Sequence, residues 1–253
     1  MEETPREGTS VNHPASVDQS ASVDEQAGYD QQARIVADVI RRRKTEKVLA
    51  LDVEQHRPVP ESLADRYREM ILSSVQAAGW APFHYPRNAD GIAEPWRVHI
   101  LWENDTLDIA RMMRDGIQGA KGEPALIAAC SALIFVTWVP QFYRGEPGSI
   151  PSRPSDVQKE IDVDEEHLAA ASAMVQNLLL MLTAHGIGNY WSSGGRLRGD
   201  AMFDRLGIPK NERLLAAVFV EYPEMKQAGT DRLRKVGKQR ENRSQEWIRE
   251  IRV

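Results

Sequence analysis

HLAAASAMVQNLLLMLTAHG, residues 167–186, carries no charged side chain between its two histidines. Asp162 or Asp164 can cap a helix here, Glu165 and Glu166 suit the positive end of its dipole, and Gly186 can end it. A helix that is apolar on every side must be buried on every side. In a chain of this length that means the centre of the core or a subunit interface. An obligate homodimer with this helix at its middle is the expectation.

Outward from it, other elements follow from periodicity. QQARIVADVIRRR places Ile35, Val36, Val39 and Ile40 at helical spacing. ESLADRYREMILSSVQAAG is a second amphipathic helix, preceded by Pro60 and stopped by Gly79. WRVHILW alternates as a strand, DTLDIARMMRDGIQG is helical, CSALIFVTWV is a buried strand and LLAAVFVEY is a last strand. Residues 80–95 and 140–160 are broken by Pro and Gly and read as loops, and a charged tail runs over 224–253. Helices and strands mix without a βαβ rhythm. The expected fold is α+β, a central mixed or antiparallel sheet flanked by helices. Residues 1–30 contain no Leu, Ile, Phe or Trp and are expected to be disordered, with the folded domain over 31–253.

The chain has 253 residues, 42% hydrophobic and 27% charged, with net charge −5. Its mild acidity gives no electrostatic reason to expect nucleic acid or an anionic membrane as partner. No run is read as reaching the ~18–20 apolar residues that span a bilayer, and the N-terminus shows no signal-peptide pattern. The single cysteine, Cys130, reads as a buried small hydrophobe, and a cytoplasmic location is expected.

Three stretches carry candidate chemistry. RRRKTEK, residues 41–47, is either an anion clamp of cations and a hydroxyl or a solvated helix end. APFHYPRNADGIAEPW, residues 81–96, is either a pocket wall or a stiff connection. HGIGNYWSSGG, residues 185–195, is either a cap and turn or a backbone surface offered to a ligand, since glycine permits close approach. The six histidines show no metal spacing, so no metal is expected, and neither GxSxG nor GxGxxG after a strand occurs.

In this order the three stretches resemble the FMN-dependent nitroreductase family. RKTEKVL is similar to its Arg-x-Ser-x-Arg/Lys opening, with Thr45 in place of Ser. WAPFHYPRNADGIAEPWRV resembles its Ala-Pro…Gln-Pro-Trp loop, with extra residues after His84 and with Glu94 where Gln is usual. The apolar helix with HGIGNYWSSGG is similar to its central dimer helix and flavin-facing segment. ERLLAAVFVEYPE is similar to its last core strand, with Glu221 in place of Gly, and VGKQR to a Lys/Arg pair that returns to the FMN phosphate.

The resemblance implies that Arg43, Thr45 and Lys47, with Lys44 beside them, hold phosphate, ribityl chain and pyrimidine edge. The consecutive arginines 41–43 allow the same reading in neighbouring registers. Pro82, Phe83, His84 and Asn88 would line the cofactor from the loop, Ser193, Gly194 and Gly195 through backbone, and Lys238 and Arg240 from the tail. Phe83, Tyr85, Trp138, Phe142 and Tyr143 are candidate pocket walls, and no side chain is named as a catalytic acid or base. The implied activity moves reducing equivalents from NADH or NADPH through FMN to a nitroaromatic, quinone or other conjugated acceptor. Reductive dehalogenation, natural-product tailoring, or a flavin-binding dimer without turnover are the alternatives.

Overall fold

The computed structural model describes residues 19–55, 58–120, 122–141, 154–227, 232–237, 244 and 247–251. By its contacts the chain divides into two units, residues 1–40 and 41–253. Helix α1 spans Gln19–Arg42, so it starts inside the stretch expected to be disordered. The Gln26 amide donates to Asp30 at 3.1 Å and the Tyr29 hydroxyl to Glu25 at 3.0 Å. These are bonds across one helical turn. They need none of the apolar burial whose absence motivated the expectation.

The second unit is built on a four-stranded antiparallel sheet. Its strands are β2 (Trp96–Trp102), β3 (Ala132–Trp138), β4 (Gly188–Ser192) and β5 (Arg213–Glu221), in the order β2-β3-β5-β4. Alternation along β3 assigns the two faces. Ala132, Ile134 and Val136 pack with α2 (Glu61–Ala78) and α5 (Pro154–Ala184). Leu133 and Phe135 pack with α3 (Asp105–Gly116), α4 (Glu123–Ala129) and α6 (Asp200–Leu206). The result is the antiparallel α+β arrangement expected, with α6 an additional short helix.

Within this chain α5 is buried on one face only. Ala171, Met174, Val175, Leu178, Leu179 and Leu182 are buried. Ala169, Gln176 and Ala184 are exposed, and Leu180 and Met181 are half-buried. By length and composition Gln158–Ala184 could cross a bilayer, which corrects the expectation that no segment could. The packing of α5 on the sheet and α2 accounts for that composition. The helix ends where expected. Gly186 takes φ +74°, its N–H donates to Thr183 O at 3.0 Å, and Ile187 N–H donates to Leu182 O at 2.9 Å. That is a Schellman closure, with buried Ile187 as its apolar anchor.

A second, two-stranded ribbon lies in the region read as a basic cluster and a charged tail. β1 (Glu46–Ala50) pairs antiparallel with β6 (Arg232–Val236). Glu221, the last residue of β5, fastens it. Its carboxylate accepts from Arg234 at 2.5 and 2.6 Å and from Arg232 at 3.4 Å. Glu221 and Arg232 have only 4% of their side chains exposed, so neither charge has water to fall back on. Removing one partner of a buried pair costs about 3–5 kcal/mol, because the other charge stays buried. In urea denaturation Glu221→Ala should therefore lower the unfolding free energy by roughly 3 kcal/mol or more. Glu221→Gln, which keeps an acceptor, should recover part of the loss. A loss under ~1 kcal/mol for the alanine variant would mean that the clasp does not hold the ribbon.

Candidate functional site

The basic cluster leaves its helix. α1 stops at Arg42, residues 43–45 lie outside any helix or strand, and Lys47 lies in β1. A solvated helix end is therefore excluded for Thr45 and Lys47. Gly237 N–H donates to Thr45 O at 3.2 Å, so the ribbon sets Arg43–Thr45 against the start of VGKQR. Lys238 and Arg240 themselves lie outside the described residues. Lys47 Nζ sits 5.3 Å from the centroid of the Tyr190 ring on β4, and Tyr190 stacks on Phe219 at 5.7 Å. That is a cation over an aromatic platform. Lys44 pairs instead with Glu46 at 3.7 Å, and Glu46 with Lys226 at 2.9 Å.

β4 leads from this cluster to the glycine turn. Gly194 has φ +101° and Gly195 φ +52°, so both use backbone space that favours glycine. A Cβ on Gly194 would come within 2.5 Å of Leu214, and one on Gly195 would meet the Glu123 carboxylate. Glu123 also accepts the Arg196 N–H at 3.2 Å. The close approach at these glycines is thus made by the protein's own side chains. Gly194 N–H donates to Ser192 Oγ at 3.2 Å and Arg198 donates to Ser193 O. Ser193 is the exposed residue of the turn ahead of the glycines, and Gly194 is buried.

The 81–96 loop is held at the other end of α5. Phe83 is half-buried and packs edge-on to Trp96 at 5.5 Å at the margin of the core. Arg87 is spent on backbone, donating to Val139 O at 2.9 Å and Pro140 O at 3.0 Å. Asn88 (φ +51°) opens a tight turn closed by the Ala89–Ile92 bridge, so the extra residues after His84 form a small protrusion. His84 is exposed near Glu166 at 3.8 Å, and buried His167 bonds Tyr85 O at 3.1 Å. Pro82 is exposed. His167, by the loop, and Thr183, by the cluster, are about 24 Å apart along α5. One chain does not bring the loop and the cluster together.

Beside the glycine turn lies a cleft of about 500 Å³, lined among others by Trp138, Leu168, Arg198, Phe203, Glu212 and Leu214. The size suits a small organic molecule. Phe142 and Tyr143, also expected as walls, lie outside the described residues. Buried Glu212 accepts from His99 at 2.7 Å and from the Thr137 hydroxyl. Burial pushes its carboxyl up, but those two hydrogen bonds together with the electrostatic attraction of His99 and Arg97 hold the group below its ordinary value. Arg198 and Glu212 were invisible to motif reading, since neither stands in a recognisable pattern. Burial pushes the Cys130 thiol up to about 12, the behaviour of an inert packing residue. Among the described residues no group of His, Cys, Asp and Glu could hold a metal.

A family model described as the Nitroreductase family matches residues 67–220. The chain is 24% identical over 194 residues to "Putative NAD(P)H nitroreductase YfhC" of Bacillus subtilis, covering 75% of this chain and 85% of that protein. Among solved structures it is similar to a nitroreductase-like family protein from Bacillus cereus, at 18% identity over 74% of this chain and 84% of that one, with TM-score 0.49. It is also similar to a Desulfovibrio desulfuricans "putative nitroreductase in complex with fmn", at 17% identity over 74% and 86%, with TM-score 0.46. The family match spans the sheet, the loop, the apolar helix and the glycine turn, and by it this chain belongs to the nitroreductase family of oxidoreductases.

Proposed function

We propose that the protein is an FMN-dependent oxidoreductase that takes reducing equivalents from NADH or NADPH and delivers them to a nitroaromatic, quinone or similar conjugated acceptor. The observation that carries this reading is the β1–β6 ribbon. It lifts Arg43, Thr45 and Lys47 off the helix, sets them against the tail, and puts Lys47 over Tyr190 on the strand that ends in the glycine turn.

The donor set fits the cofactor. A guanidinium, a hydroxyl and an ammonium match a phosphate followed by a polyol and an electron-rich ring edge. When bound, FMN supplies a ring that accepts a hydride equivalent from one molecule and yields it to the next. Arg43 and Thr45 hold the phosphate end, with Lys238 and Arg240 as further candidates. Lys47 opposes negative charge on the ring with a fixed positive one. The exposed Ser193 amide is the turn's donor toward the ring. Trp138 and Phe203 give the neighbouring cleft apolar walls for a flat acceptor.

The working form in this reading is a cytoplasmic homodimer. An antiparallel pairing of two α5 helices about a two-fold axis would cover the side of α5 that carries Ala169, Gln176 and Leu180 and lay each loop beside the partner's cluster. Sedimentation equilibrium should read a dimer, and a monomer at micromolar concentration would overturn that assembly.

Purified protein should be yellow or take up FMN, absorbing near ~450 nm, and should bleach anaerobically with NADH or NADPH. Protein that cannot be loaded would favour a dimer without flavin chemistry, and a bound flavin that neither nicotinamide reduces would sink the reductase reading. Arg43→Ala should weaken FMN binding roughly ten- to a hundredfold, the worth of one charged hydrogen bond. Unchanged affinity would move the clamp to another register.

A further inference from the structure

The stretch that carries Ser193 and Gly194 runs directly into a single 3₁₀ turn, Gly195–Arg198. The first amides of a helical turn need acceptors from outside it. A serine or aspartate at the capping position usually supplies one. Here that position is Gly194, which has no side chain, takes φ +101°, and would meet Leu214 if it carried a Cβ. Glu123 supplies the acceptor instead. Its Oε1 takes the Arg196 N–H at 3.2 Å from 73 residues away in sequence, while Oε2 takes the Gly122 N–H at 3.2 Å where α4 begins. One carboxylate thus closes the beginnings of two helical turns, both of them capped by glycine.

The contact is fitted on both sides. Gly195 (φ +52°) leaves the space that the Glu123 carboxylate fills. Gly119 (φ +79°) leaves the space over which the Arg196 guanidinium lies, 2.7 Å from where a Cβ would stand. Segments 119–123 and 194–196 therefore interlock, each with a glycine beneath the other's charged side chain. Other bonds of the turn are local: Gly194 N–H to Ser192 Oγ, Leu197 N–H to Gly194 O at 2.9 Å, and Arg198 to Ser193 O. These shape the turn, whereas the Glu123 bond ties it to another element.

We propose that Glu123 is a positioning residue, whose carboxylate fixes the Ser193–Gly195 backbone at the place and angle from which the Ser193 amide meets the flavin ring. The proposal rests on the reading that FMN is bound against this turn. Glu123 acts through its tie at Gly195 and Arg196, beyond the amide itself, and what it contributes is geometry. A displacement of about 1 Å between reacting partners can cost up to roughly a hundredfold in rate.

The test compares Glu123→Ala, which removes the acceptor, with Glu123→Gln, which keeps an acceptor for the Arg196 N–H and removes the charge. Hydrogen–deuterium exchange is read first, on the full chain as purified. In the alanine variant, peptides covering 193–197 should exchange roughly tenfold faster, the worth of one hydrogen bond to a charged group at a solvent-open position. Peptides from β3 and β5 should keep their rates, and the glutamine variant should regain most of the protection. The limiting rate at which NADH or NADPH bleaches the FMN-loaded protein should follow the same order. It should fall about tenfold in the alanine variant and stay within about twofold in the glutamine variant, with the half-saturating nicotinamide concentration unchanged in both. Equal losses in the two variants would assign the effect to charge and overturn the proposal. So would unchanged exchange in the alanine variant, or faster exchange with an unchanged bleaching rate, since Glu123 would then serve the fold alone. Unsubstituted protein that takes up no FMN would sink the flavin reading by itself, and exchange alone would then decide whether Glu123 holds the turn.

Discussion

Glu221 sits at the end of the innermost run of β5, where its carboxylate, nearly closed to water together with Arg232, also meets the more exposed Arg234. The desolvation of these charges is tolerable only while they remain together. That makes the contact a strict constraint on geometry. β6 must lie where its arginines reach the sheet, β1 must pair with β6, and the cations of residues 43–47 are carried to β4 as a result. The position at which the family resemblance expects glycine is the one from which this chain hangs its basic ribbon.

The sheet's two faces impose a division of labour. Between α2, α5 and the sheet the chain is almost wholly apolar, and from that side Trp138 and Leu168 reach the cleft of about 500 Å³. On the opposite face Thr137, His99 and Glu212 form a polar edge beside the 500 Å³ cleft. Glu103 adds a buried clasp of its own, accepting from Arg68 at 2.6 Å and from the Tyr222 hydroxyl at 2.8 Å. The charged groups that shape the molecule are therefore at element ends, where strands stop and side chains can reach past them.

What could be read in the sequence divides by length and by polarity. α2, α5, β2, β3 and β5 are long enough for period to show, and their apolar faces match their packing. β1 and β6 are five residues each and mostly charged, so only their mutual pairing and the Glu221 contact make them strands. No local pattern encodes such a partnership. The site shows the same split. Arg43, Thr45 and Lys47 stand out by charge and order, and so do the paired glycines. Phe83 and Arg87 look equally suited to a ligand in the sequence, and the structure gives them different neighbours, an edge-on tryptophan for one and a backbone tether for the other. Aromatic and hydrogen-bonding residues in a loop do not reveal from sequence alone whether they face inward. Glu123 gave no signal, because its hold on the glycine turn exists only after two distant segments are in place.

The closure at Gly186 also sets a phase. Buried Ile187 pins the chain as it leaves α5, and from that point the two-residue alternation of β4 assigns every side chain to a face. Tyr190 falls under Lys47 and Asn189 falls inward only because one residue separates Gly186 from Gly188. A chain longer or shorter by a single residue there would exchange the two, removing the aromatic platform and the buried amide in one step. The helix terminus thus acts as the register mark for both faces of the strand.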